Sequence, residues 1–164
     1  MTTAAPSEIA TAVSIYQRNT VMLGKSFDGL TPEEWLRRPG ETSNPILWIV
    51  GHVVWARSRA LAYLGKEWAR PWLPLFARGS SLAENAQYPQ PEELVSAWQD
   101  VTANLTAALE SVPSTVLSNP APEKSPSFDG TVAGMLSFLA FHETYHVGQT
   151  AYLRCWLGHS RIVG

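Results

Sequence analysis

Apolar side chains recur at intervals of three and four residues in four separate stretches of this chain, the pattern of helices with one buried face. The first runs from about Ser7 to Phe27, with Ile9, Val13, Tyr16, Thr20, Leu23 and Phe27 on one side. A short helical turn follows. In it Leu30, Thr31, Pro32 and Glu34 read as an apolar staple, an N-cap, a proline at the first helical position and a capping-box acid. The second long helix is predicted from Ser43 or Asn44, with Pro45 at its first position, to Leu64 before Gly65. Between Ile46 and Ala56 its only strongly polar side chain is His52, and a helix apolar on nearly every side is buried on several. The third begins at Pro91-Glu92-Glu93, acids that suit a helix N-terminus, and carries Leu94, Trp98, Val101, Leu105, Ala108 and Val112 as one stripe. The fourth starts after the Asp129-Gly130 turn, capped by Thr131, and runs to Gly158.

Two connections are long. Residues 66–90 contain Trp68, Pro71, Trp72, Pro74 and Pro89, and residues 113–130 contain Pro113, Pro120, Pro122 and Pro126. Proline stops helices and narrows the unfolded ensemble, so both read as ordered crossovers, with a floppy surface loop as the alternative for 113–126. Alternating strand patterns and internal repeats are absent. The expectation is an all-α fold, a four-helix bundle with a long crossover between the second and third helices, forming one domain over residues 1–164.

Composition narrows the function classes. At 164 residues and 45% apolar the chain can build a core, and a net charge of −2 with scattered signs leaves no electrostatic footprint for nucleic acid. No apolar run of membrane-spanning length occurs, and the N-terminus lacks the basic head and apolar region of an export signal. Cys155 is alone, which excludes an intrachain disulfide and suits the cytoplasm.

The chemistry lies in the histidines. His142 and His146, four apart, fall on one helical face with Met135, Phe138, Leu139, Tyr145, Gln149, Leu153 and Trp156. A buried polar group without a partner costs roughly 1–3 kcal/mol, and nothing in this stripe obviously satisfies two imidazoles, so a metal ion is the economical reading. If the second and fourth helices pack together, His52 joins the pair. Three neutral nitrogens with an open coordination position are then the pattern of a catalytic rather than a structural metal. The alternative is a set of core histidines bonded to carbonyls. His159, beside Gly158, reads as a solvated residue that complements the helix dipole.

His142-Glu143-Thr144-Tyr145-His146 also matches H-E-x-x-H, the zinc-protease signature in which the glutamate is a general base. The protease reading fails further on. No acid follows Glu143, the extended motif's glycine falls one place early at Gly148, and its third-ligand position holds Tyr152.

Three segments resemble the DinB-like (DinB/YfiT) family of metal-dependent enzymes: Asn44 to Gly51-His52, His142 to Gly148-Gln149, and Leu153-Arg154 to Leu157-Gly158. The resemblance spans essentially the whole chain. It implies a helical bundle with an unusual crossover, often a homodimer, and a divalent metal held by His52, His142 and His146. Glu143 fills the family's acidic position and points about 100° from His142, towards the flank, as a structural or ligand-supporting residue. Gln149 shares the histidine face and is expected to support a ligand from behind. Characterised relatives include transferases and isomerases that use bacillithiol, mycothiol or glutathione-like thiols.

The leading expectation is therefore a metal-dependent enzyme acting on a small molecule by activating a thiol or water, most simply a thiol S-transferase. A metal-dependent hydrolase and a non-enzymatic bundle organised by its ion are the alternatives. Three imidazoles suit zinc or nickel, and also iron, cobalt or manganese. Arg59 is placed either to meet a cofactor carboxylate or to face solvent, and Trp48 and Trp55 either to wall the pocket or to pack the core.

Overall fold

The helices start and stop close to where the sequence pattern puts them. The computed structural model describes residues 5–80, 82, 83 and 86–163. It contains α1 (Ala10–Phe27), α2 (Pro32–Leu36), α3 (Ile46–Tyr63), α4 (Pro91–Ser111), α5 (Ser114–Leu117) and α6 (Val132–Trp156), with 3-10 turns at Ser7–Ile9 and Leu73–Phe76. No strand occurs among the described residues, where the only β feature is an isolated bridge between Pro120 and Thr131. The fold is all-helical.

Thr31 caps α2 with both bonds of a capping box, and the Thr131 hydroxyl accepts from the Gly134 N–H at 3.1 Å to cap α6. Pro45 precedes the first turn of α3 rather than opening it: its backbone is extended, while its carbonyl accepts from the Ile49 N–H at 3.1 Å. Both α3 and α6 end in a Schellman motif. Gly65 and Gly158 take the left-handed conformation (φ 70° and 94°), and the following residue, Lys66 or His159, donates back to the carbonyl of Leu61 or Arg154.

The four long helices close a ring in which α1 packs on α6, α6 on α3, α3 on α4, and α4 on α1. Every residue of α3 from Ile46 to Val54 is buried, as its unbroken apolar run requires. Between α3 and α4 the turn at Leu73–Phe76 packs on α3 and drives Phe76 into the core with no exposed surface. Gly51 makes this seating possible. A Cβ there would sit 2.3–2.5 Å from the Phe76 ring, well inside van der Waals contact. Gly51→Ala is expected to lower stability by about 1–3 kcal/mol through overpacking, read as a shifted urea midpoint at unchanged slope.

The stripe read on α6 is rotated from the one that packs. Met135, Leu139, His146 and Leu153 are buried, but Tyr145 and Trp156 are 61% and 39% exposed. The buried arc extends instead over Leu136, Ala140, Glu143, Val147 and Thr150, because α6 packs against α1 as well as α3. Polar bonds secure the α1 side: Asn19 donates to the Ala140 carbonyl at 3.2 Å, and the Ser26 and Thr150 hydroxyls meet at 2.9 Å.

Candidate metal centre

Packing of α3 on α6 brings His52, His142 and His146 together, with one ring nitrogen of each within 4.8 Å of the others. His142 Nε2 lies 3.4 Å from His52 Nε2 and 3.1 Å from His146 Nε2. Imidazoles bound at about 2.0–2.1 Å to one ion would have nitrogens about 3.0 Å apart at right angles and about 3.4 Å apart at the tetrahedral angle. These two spacings fall within that span.

The opposite edges of the rings decide what the Nε2 atoms present. His52 Nδ1 is 2.7 Å from the Phe76 carbonyl oxygen, which only accepts, so this nitrogen carries the proton and Nε2 a lone pair. His146 Nδ1 is 2.8 Å from Gln149 Oε1, which fixes the same tautomer. Gln149 is held in turn by donating to the Tyr145 hydroxyl at 3.1 Å. His142 Nδ1 is buried with no partner. Two lone pairs therefore converge on a third imidazole nitrogen that can donate to only one of them. A cation at their meeting point satisfies all three, so the donor set fits a divalent metal.

Electrostatics keep the rings neutral. Burial is the largest cause in each case. His52 is pushed below the ordinary histidine value, against a smaller opposing effect of its bond to Phe76. His142 is lowered to about 4 by burial, then by His52 and Arg78. His146 is also lowered to about 4, by burial and then by the other two histidines, with Gln149 opposing. Stacking fixes the His52 plane: Trp48 and Trp55 lie nearly parallel to it at centroid distances of 5.0 and 5.3 Å. Trp48 is in the core, and Trp55 lines a cavity of about 420 Å³ that opens onto His52 and His142.

A family model described as the DinB superfamily matches residues 15–150. The chain belongs to the DinB superfamily. No curated protein matches it. The matched span takes in all three histidines and both crossovers.

Glu143 of this DinB chain lies in the core, because the flank towards which it points faces the helix ring. It is 1% exposed and accepts two bonds from Arg57, from Nε at 2.8 Å and from Nη2 at 2.7 Å. Arg57, also 1% exposed, further donates to the hydroxyls of Thr20 on α1 and Thr102 on α4, so one guanidinium ties all four long helices. A carboxylate so engaged is not the free base that the H-E-x-x-H pattern suggests. Arg57 was not visible as a partner from the sequence. The available signal was a lone acid in one of the most apolar helices and an arginine buried in the other. The Phe76 carbonyl, a backbone atom, had no sequence signal at all. His159 is half-buried and sits 3.0 Å from Glu34, so it ties the end of α6 to α2 rather than standing in solvent.

Proposed function

We propose that this DinB protein binds a divalent metal through His52, His142 and His146 and uses it to activate a thiol for transfer to an electrophile. The observation that carries the reading is the convergence of three neutral Nε2 atoms, with the rings of His52 and His142 lining an open cavity. A divalent ion held by neutral ligands keeps most of its charge and favours the deprotonated form of a thiol or water beside it. Gln149 and the Phe76 carbonyl hold two of the rings at fixed tautomers, and Trp48 and Trp55 keep His52 from rotating. In the transfer, the thiol proton passes to solvent while sulfur bonds the electrophilic carbon and displaces its leaving group. Zinc or nickel suits three imidazoles best.

Zinc- or nickel-loaded protein given glutathione or cysteine and 1-chloro-2,4-dinitrobenzene is expected to form the S-conjugate above the uncatalysed rate, with the excess lost in EDTA and in His52→Ala. Metal-dependent release of nitrophenol from p-nitrophenyl acetate without conjugation would favour a hydrolase. Metal that raises the melting temperature without turnover of either probe would favour an ion that only organises the core.

We also infer a homodimer. The outer side of α6 presents Phe141, Tyr145 and Tyr152, all more than half exposed, around Gly148 with open space at its Cβ position. Sedimentation of a monomer at micromolar concentration would reject it. Among the described residues no helix is long and apolar enough to cross a membrane.

A further inference from the structure

We infer that the cavity above the histidines takes a small anion, a carboxylate attached to an apolar or aromatic body. This rests on the reading of the histidine cluster as the functional site and names the ligand class for it. The lining is asymmetric in charge: Arg59, Arg78 and Lys124 against a single acid, Glu123. A chain of net charge −2 thus gathers three cations around one opening.

The three come from separate parts of the fold. Arg59 lies two helical turns beyond His52 on α3, with Trp55 between them, so one face of that helix carries ligand, aromatic wall and guanidinium in succession. Arg78 follows Phe76, whose carbonyl meets His52, by two residues and lines the same cavity from the connection between α3 and α4. Lys124 stands at φ 60°, a left-handed position that a lysine adopts at some cost, in the loop before α6.

Among the described residues neither Arg59 nor Arg78 joins an ion pair, although Arg70 and Arg57 elsewhere do. Arg59 rests over the Tyr63 ring at 5.8 Å, which leaves its fork of donors available. Opposite this rim the wall is apolar, formed by Met135, Phe138 and Leu139. The cavity volume of about 420 Å³ admits a ligand of one or two rings. An anionic head among the cations, an apolar body on Phe138 and a reacting atom towards His142 is the pose these walls select.

Calorimetric titration of zinc-loaded protein with 1-naphthoate and with the neutral 1-naphthamide tests this. Naphthoate is expected to bind at least tenfold more tightly and to weaken with added salt. The double substitution Arg59→Ala, Arg78→Ala is expected to remove most of that preference while leaving zinc content and melting temperature unchanged. The same titration in EDTA separates direct ligation by the ion from recognition by the rim, since the rim's preference survives metal removal. Equal affinity for acid and amide, a preference untouched by the double substitution or abolished by EDTA, or no binding of either overturns the proposal. Stoichiometric zinc uptake alongside such a result leaves the metal reading standing. A rim-dependent preference in protein that takes up no zinc overturns the metal reading alone.

Discussion

Replacing His52 by alanine is expected to lower metal affinity by more than the roughly 10–100-fold that loss of a supporting hydrogen bond costs a metal site. Only two nitrogens then remain, both on one helix. Competition with a chromophoric chelator measures the change, with Gln149→Ala as the comparison inside the 10–100-fold range, because it removes only the acceptor for His146 Nδ1. Thermal unfolding in EDTA confirms that both variants fold. Acid should act on the same site with a definite sign. Unfolded, each imidazole takes a proton near its ordinary 6.5, but folded, His142 and His146 do so only near 4. Between those values the unfolded chain binds more protons, so the share of the metal-free protein's stability that these two rings contribute is fully present above about 6.5 and is lost as the pH falls towards 4. Metal affinity of the folded protein should begin to fall only at a pH below the ordinary imidazole value, because all three rings take up competing protons less readily than free histidine. An affinity already collapsing at pH 6.5 would contradict this picture of the centre.

Glu143→Gln is expected to destabilise the protein by about 3–5 kcal/mol, the usual consequence of leaving one member of a buried ion pair without its counter-charge. The amide keeps the shape of the carboxylate but turns one acceptor into a donor that faces the donors of Arg57. Urea unfolding measures the loss. Metal affinity, by contrast, should change by less than tenfold, since Glu143 contacts Arg57 rather than the histidine nitrogens. Combining Arg57→Met with Glu143→Leu should recover part of the stability, as buried pairs replaced by apolar groups often do. A single substitution with wild-type stability and a large loss of metal would instead place Glu143 at the metal centre.

Helix identity and the three histidines were legible because each rests on local pattern. The apolar run around His52 forces α3 into the interior, and the i, i+4 spacing on α6 aligns His142 with His146 whatever the tertiary arrangement. Centring the α6 stripe failed for a physical reason. A helix gripped from two sides buries an arc too wide for one periodic stripe, so Tyr145 and Trp156 fell within the sequence pattern yet outside the core. Glu143 shows the same limit. Its angle from His142 was readable, but whether that direction met solvent or α1 and α3 depended on helix packing. The bond from His52 to Phe76 was beyond reach because a carbonyl is common to all residues and only a turn in the crossover brings this one near.

The ring that completes the trio is thus steadied by a connecting segment and not by another helix. Peeling that segment from its seat would take away the acceptor that fixes the tautomer of the imidazole, though not its stacking on Trp48 and Trp55, and an ion bound there would in turn resist the peeling. On the proposed reading, sequence drift in the connection would loosen or tighten the hold on a cation without altering any of the three histidines.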